Sequence, residues 1–244
     1  MSTDRTDSSR PAWEPIVVAH RGFWWLDLPE NSRAAFARAR DFDFPAECDV
    51  QQTLEGEPIV IHDELLDRTT TGRGQISACS AESLRQLRLK HPRGLTEPPP
   101  MLRDVSNLVA LVEIKPPDAR SVVQRVIDIM RGQRWLLQSF DPRNIEHALE
   151  VDASTSIALL VDSMNGFEPA ISSRWTVHAD HQLLDDRTVG TLHDHGLRVG
   201  AWTVNTEEEI TRILPLRPDV IISDIPIIVR QILVTSGVRV GEFK

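Results

Sequence analysis

The stretch AECDVQQTLEGEPIVIHD, residues 46–63, holds the reading on which the fold turns. Its first five residues form a short β-rich run in which Glu47 and Asp49 are separated by one residue. On an extended strand that spacing points both carboxylates to one face and Cys48 and Val50 to the other. Working outward, similar short runs recur as IVVA from Ile16, ALVEI from Ala110, WLLQS from Trp135, SIALL from Ser156, WTVHA from Trp175, RVGAWTV from Arg198 and VIIS from Val220. Amphipathic stretches between them open with helix-start signals at Asn31-Ser32, Asp118, Asp185-Asp186 and Asn205-Thr206, and Gly196 stands where a helix C-cap needs a left-handed residue. Strand and helix in alternation predict a parallel sheet with crossover helices, and eight strands close an α/β TIM (β/α)8 barrel.

The chain's 244 residues suit one such barrel, so a single catalytic domain is expected over residues 14–244. One segment breaks the alternation. From Gln51 to Leu108 the chain is too long for one helix and includes Pro92 and Pro98-Pro99-Pro100. This predicts a small insertion between the second and third strands, about residues 54–107, with a short strand at Pro58 and a helix from Ser80 to about Leu89, capping one end of the barrel. Residues 1–13 are polar and are expected to form a disordered leader rather than a secretory signal. The longest apolar run, IIVRQILV, is interrupted by Arg230 and Gln231 and falls short of the roughly 20 apolar residues a membrane span requires. A cytoplasmic protein is expected. Cys48 and Cys79 lack zinc-type spacing and are expected to be reduced thiols. A net charge of -9 argues against a nucleic-acid partner. The basic residues from Arg85 to Arg93 fit a solvated helix face.

On this map the ionisable residues gather at strand ends. His20 and Arg21 follow the first strand, Glu47 and Asp49 lie in the second, Glu113 and Lys115 end the third, Trp202 and Asn205 surround the end of the seventh, and Asp224 follows the eighth. The C-terminal ends of barrel strands build active sites, so charges arriving there from separate strands form a candidate site. Carboxylates turned inward at such a rim need a positive partner. Two readings are open: ion pairs with Lys115 and Arg21, or a hard divalent cation held by Glu47, Asp49 and Glu113, of which Mg2+ and Ca2+ suit an all-oxygen shell. His20 and His62 are the candidate proton carriers, because imidazole titrates near neutrality. Asp63, next to His62, either orients the imidazole or caps the following turn.

The motifs carry a resemblance. HRGFWWLDLPENSRAAF is similar to the opening block of the glycerophosphodiester phosphodiesterase family, and AECDVQQTLEGEPIVIHDELLDRTT resembles its second block. VEIK, LQSFD, AWTVN and IISDIP resemble later blocks in the same order, so the resemblance runs from about Ile16 to about Val229. It implies a TIM barrel with a small insertion and metal-dependent hydrolysis of a small-molecule glycerophosphodiester to glycerol 3-phosphate and an alcohol, with Mg2+ or Ca2+ expected and Mn2+ an alternative. By motif position it implies that Glu47, Asp49 and Glu113 are the metal ligands and His20 and His62 the general acid and base. Arg21 and Lys115 would bind phosphoryl oxygens, Glu30 and Asn31 would organise the mouth, and Trp202 would form an aromatic wall. Asp141, Asn205 and Asp224 match recurrent positions of the family, and for each a turn or capping role stands as at least an equal alternative to a role in the site. Glu55-Gly56 replaces the family's usual Asp-Gly. The FWWLDL loop is unusually apolar: Phe23, Trp24 and Trp25 are expected to pack against the insertion, and the alternative, contact with an acyl chain, points to a lysophospholipase D-type activity on lysophospholipids.

Overall fold

The computed structural model describes residues 13–91 and 94–243. Within them a barrel of eight parallel strands runs in sequence order: β1 Ile16–Ala19, β2 Glu47–Gln52, β3 Leu111–Ile114, β4 Leu136–Ser139, β5 Ile157–Val161, β6 Thr176–Asp180, β7 Val199–Trp202 and β8 Val220–Ser223. From β2 to β8 each strand pairs in parallel with the next, and β8 pairs with β1. The ring closes where Ala19 bridges Ala46, with the Ala19 N–H donating to the Pro45 carbonyl at 2.9 Å. All eight expected strands are present within two residues of the expected bounds. Trp13, expected in the leader, instead packs on the barrel and donates its indole N–H to the Pro218 carbonyl at 2.9 Å, because a large aromatic gains by burial there. The rest of that expectation, residues 1–12, lies outside the described residues.

Parity sorts the side chains. Cys48, Val50, Val112, Leu137, Val177 and Ala201 face outward into one apolar core under the helices. The alternate positions Glu47, Asp49 and Glu113 face into the barrel, yet they too are buried. Helix starts follow the expected caps: Ser32 accepts from the Ala35 N–H, Asp185 from that of Thr188, and Thr206 forms a reciprocal capping box with Glu209. Gly196, at φ +76°, follows the helix Asp186–Asp194. Asp118 is not a cap. Ala119 holds the N-cap position of helix Arg120–Met130, its N–H goes to the Asn144 side chain at 2.8 Å, and Asp118 pairs with Arg143 and His147.

The insertion follows β2. Its strand Pro58–Val60 pairs antiparallel with β2, which lengthens the barrel sheet, and Ile59, Ile61, Leu66, Ile76, Leu84 and Met101 form a separate small core. The helix expected from Ser80 to Leu89 stops at Leu84. Leu89 is buried and bridges Thr70, with its N–H on the Glu97 carbonyl at 2.9 Å, so extended pairing replaces the helix. Arg85, Arg88 and Lys90 are exposed as expected, though not on a helix, and Pro92 and Arg93 lie outside the described residues.

The turn after β1 depends on Gly22, which sits at φ +83°, where an added Cβ would lie 2.9 Å from both the backbone carbon and Cβ of Ala35. Gly22→Ala is expected to cost about 1–2 kcal/mol from the left-handed backbone alone. The clash adds to this, so the Tm measured by differential scanning calorimetry should fall by at least about 2–4 °C.

Candidate active site

Every expected rim residue converges on the C-terminal mouth of the barrel. Glu47, Asp49 and Glu113 can each present an oxygen so that all three lie within 4.8 Å of one another, and all three residues are buried. Two cations stand among them. Lys115 Nζ is 2.8 Å from Glu113 Oε1 and 3.5 Å from Asp49 Oδ1, and Arg21 Nε is 3.2 Å from Asp49 Oδ2. Arg21 also donates its backbone N–H to Glu47 Oε2 at 2.9 Å and a guanidinium N–H to Glu30 at 2.9 Å. Asn31, at φ +54°, reaches under the site to donate to Asp49 Oδ2 at 2.7 Å and accept from the Asp49 N–H at 3.2 Å. Of the helix-start pair Asn31-Ser32, then, only Ser32 caps; Asn31 holds a carboxylate.

The two histidines are oriented alike. His20 Nδ1 lies 2.7 Å from Asp224 Oδ1, and His62 Nδ1 lies 2.8 Å from Asp63 Oδ1. An ionised carboxylate only accepts, so each Nδ1 carries the hydrogen and each Nε2 is left to exchange protons. Asp224 is itself fixed by Asn205, which donates its amide at 2.6 Å and accepts the Asp224 N–H at 2.8 Å. Of the two readings open for Asn205 and Asp224, these contacts favour the site: chain closure places both beside β1, where Asp224 meets His20 and Asn205 holds Asp224. Asp141 does cap its helix, accepting from the Arg143 N–H at 3.0 Å. Arg68 of the insertion clamps Asp63 and Glu30 together, tying the insertion to the opening loop.

The electrostatics are uneven. Burial raises Glu47 well above the carboxylate range, and repulsion from Asp49 and Glu113 adds to it. Burial and Asp49 likewise push Glu113 up to about 7, against the pull of Lys115. Asp49 moves the other way: burial would raise it, but Arg21, Lys115 and the two histidines outweigh that and hold it at about 2. Burial lowers His62, with Asp49 opposing and Arg21 assisting. Two buried carboxylate oxygens of the cluster, Asp49 Oδ1 and Glu113 Oε1, make no hydrogen bond, although Lys115 Nζ stands 3.5 and 2.8 Å from them. Three converging carboxylates with buried oxygens that make no hydrogen bond fit a hard divalent cation.

A pocket of about 120 Å³ opens over this cluster, and its lining combines His20, His62, Lys115 and Arg21 with Phe140, Leu160 and Trp202. The Phe140 and Trp202 rings meet edge to face at 5.5 Å, which gives the expected wall two rings rather than one. A larger cavity of about 670 Å³ opens at the opposite end of the barrel among Arg131, Trp135, Ser156 and Phe243, and its lining includes none of the three carboxylates. Phe23 packs edge to face on Phe42 and Phe44, a correction to its expected place against the insertion, because helix Arg33–Asp41 lies directly above it. Trp24 donates to the His20 carbonyl at 3.1 Å, and Trp25 is 40% exposed. Sequence reading missed Arg68, Gln138 and Phe140. Gln138 shares the inward parity of Glu113 on the neighbouring strand, and that signal could have found it.

The glycerophosphoryl diester phosphodiesterase family profile matches residues 20–228, a span that takes in every residue of this pocket. The chain belongs to that family. Among its relatives, a glycerophosphodiester phosphodiesterase of Caldanaerobacter subterraneus is 27% identical over 230 residues, covering 86% of this chain and 94% of the relative. One from Bacillus subtilis is 26% identical over 235 residues, covering 82% and 80%. The solved phosphodiesterase of Oleispira antarctica, in complex with the product sn-glycerol-3-phosphate, superposes with a TM-score of 0.80 at 22% identity, over 89% of this chain and 96% of that one. A glycerophosphodiester phosphodiesterase of Parabacteroides distasonis gives 0.79 at 20% identity, over 93% and 100%. These structures share the TIM barrel of this family member.

The raised carboxylates make stability pH-dependent. Glu47 and Glu113 keep protons in the folded state that the unfolded chain has already released, so stability falls as pH rises from the ordinary carboxylate range through about 7. Asp49 acts oppositely, but its contribution is complete above the ordinary Asp value of about 4. His62 and His178, both lowered by burial, act against this up to the ordinary His value of about 6.5, so with chelator present the Tm should decline above about pH 6.5. Millimolar Mg2+, Mn2+ or Ca2+ should raise it, most strongly at the alkaline end, as thermal denaturation across that series would show.

Proposed function

We propose that this family member hydrolyses glycerophosphodiesters to glycerol 3-phosphate and an alcohol, with a divalent cation held by Glu47, Asp49 and Glu113. Charge carries this reading. Fully ionised, the three carboxylates and the two cations Arg21 and Lys115 sum to minus one, which would repel an anionic diester. Two further positive charges bring the site to plus one, and one phosphodiester then neutralises it. The all-carboxylate donor set suits Mg2+ or Ca2+, with Mn2+ an alternative. Both cysteines are free thiols, which supports the cytoplasmic setting expected from composition.

When bound, the cation supplies Lewis-acid charge stabilisation at a phosphoryl oxygen. The protein's own groups do the rest. Arg21 and Lys115 add donors where negative charge grows on the phosphoryl oxygens. One imidazole Nε2 takes a proton from the attacking oxygen as its bond to phosphorus forms. The other gives a proton to the departing alcohol oxygen as the second phosphorus–oxygen bond breaks, so one proton enters and one leaves the protein. Burial holds His62 toward its neutral form, which suits it to accept. Phe140 and Trp202 present the apolar wall against which the glycerol or leaving group stacks.

His20→Ala and His62→Ala are each expected to lower kcat by about 10²–10⁴-fold while leaving metal binding intact. Glu47→Gln, Asp49→Asn and Glu113→Gln should abolish metal binding and activity together. Release of glycerol 3-phosphate from a panel of glycerophosphodiesters, alongside metal titration of each variant, separates the two classes. Full activity in the histidine variants would overturn the reading.

A second reading, lysophospholipase D-type cleavage, draws support from the opening loop, where Trp25 is 40% and Leu26 62% exposed beside the mouth. If those residues meet an acyl chain, the double variant Trp25→Ser and Leu26→Ser will lower kcat/KM on lysophospholipid at least about 10-fold relative to a short glycerophosphodiester. Equal effects on both substrates would remove it.

A further inference from the structure

Below the carboxylates the barrel interior should be apolar, because inward positions of a TIM barrel form a packed core. Two are not. Gln138 on β4 and His178 on β6 are 2% and 1% exposed, and the proposed chemistry uses neither. His178 Nδ1 lies 2.8 Å from Gln138 Oε1, and Gln138 Nε2 lies 3.4 Å from Glu47 Oε1. The hydrogen-bond directions are dictated by the far end. As a metal ligand Glu47 would be ionised and only accept, so Gln138 turns its NH2 to it and its carbonyl oxygen to the histidine, and His178 donates from Nδ1. This leaves His178 Nε2 as a bare buried lone pair, and that nitrogen has no hydrogen-bond partner. Burial lowers His178 to about 4, which keeps the ring neutral and the pattern intact.

The fold makes room for this chain at a cost. Position 200 on β7 is glycine, and a Cβ there would lie 2.4 Å from His178 Cδ2 and 3.1 Å from its Nε2. Three strands thus give up apolar packing, by an amide, an imidazole and a missing side chain, to reach one oxygen of Glu47. Its other oxygen, Oε2, already accepts from the Arg21 N–H at 2.9 Å. With both oxygens held, the carboxylate has one orientation, the arrangement that outer-shell partners of metal ligands produce.

We propose that His178 and Gln138 are positioning residues for the metal-ligating carboxylate of Glu47, joined as His178 Nδ1–H to Gln138 Oε1 and Gln138 Nε2–H to Glu47 Oε1, with Gly200 giving the imidazole its space. The proposal rests on the reading of Glu47 as a ligand, and it extends the site from the rim to the middle of the barrel. His178→Phe fills the ring's volume and removes the donor, Gln138→Met keeps length and removes both polar atoms, and His178→Asn restores a donor near the Nδ1 position.

The test is the Kd for Mn2+, measured on the full chain by isothermal titration calorimetry, together with the Tm in chelator. His178→Phe and Gln138→Met are expected to weaken Mn2+ binding about 10–100-fold. His178→Asn should stay within about threefold of the parent. The chelated His178→Phe protein should melt within about 3 °C of the parent, because loss of the unsatisfied buried Nε2 offsets the loss of the donor to Gln138 Oε1. Unchanged Mn2+ affinity in His178→Phe would overturn the proposal, as would equal loss in the Asn and Phe variants accompanied by a chelated Tm lowered beyond that margin, which would mark a purely structural histidine. Glu47→Gln is the control: if it binds Mn2+ as the parent does, the ligand reading itself has failed, whereas loss there with an unchanged His178→Phe affinity refutes the relay alone.

Discussion

Three carboxylates share a buried volume with two cations, and much of the rest of the molecule serves that imbalance. An unpaired ionised carboxylate away from water costs several kcal/mol, so the fold must either protonate these groups or surround them with donors and positive charge. Both responses are visible. Glu47 and Glu113 are pushed toward their protonated forms, while Asp49, the most heavily supported, is held ionised by Arg21 and Lys115 with Asn31 donating from below. A site balanced in this way is poised for a divalent cation, because one ion removes the conflict that burial created.

The support reaches well beyond the cluster. Asn205 fixes Asp224, which fixes His20; Arg68 fixes Asp63, which fixes His62. These parallel arrangements give both imidazoles the same tautomer and leave both Nε2 atoms for proton exchange. Arg68 also binds Glu30, so the insertion is more than a cap: it joins the loop after β1 to the histidine that follows its own strand. Half-exposed Arg68 adds little to stability through these contacts, since water and salt screen them. Their effect is to fix geometry.

Much of this was legible from sequence because it is local. Alternation placed Glu47 and Asp49 on one face, and the same two-residue period placed Glu113 and Lys115 together. Caps at Ser32, Asp185 and Thr206 marked helix starts, since a short polar side chain there meets a free N–H within three residues. Where an outcome depended on pairing with distant chain, local reading failed. The helix expected to Leu89 gave way to extended pairing with Thr70 and Glu97, and Asp118, which looked like a cap, turned to Arg143 and His147.

By itself, then, the sequence determined the eight strands, the shared facing of Glu47 with Asp49 and of Glu113 with Lys115, and the residue types able to hold a cation and move protons. Only the tertiary structure decided the partners. Asp224 lies 204 positions from His20 and Gln138 lies 91 positions from Glu47, and each pair meets across neighbouring strands or through the closed barrel interior. The physical reason is that periodicity reports where a side chain points relative to its own backbone, whereas the identity of the group it meets is set when Ala19 bridges Ala46 and the ring closes.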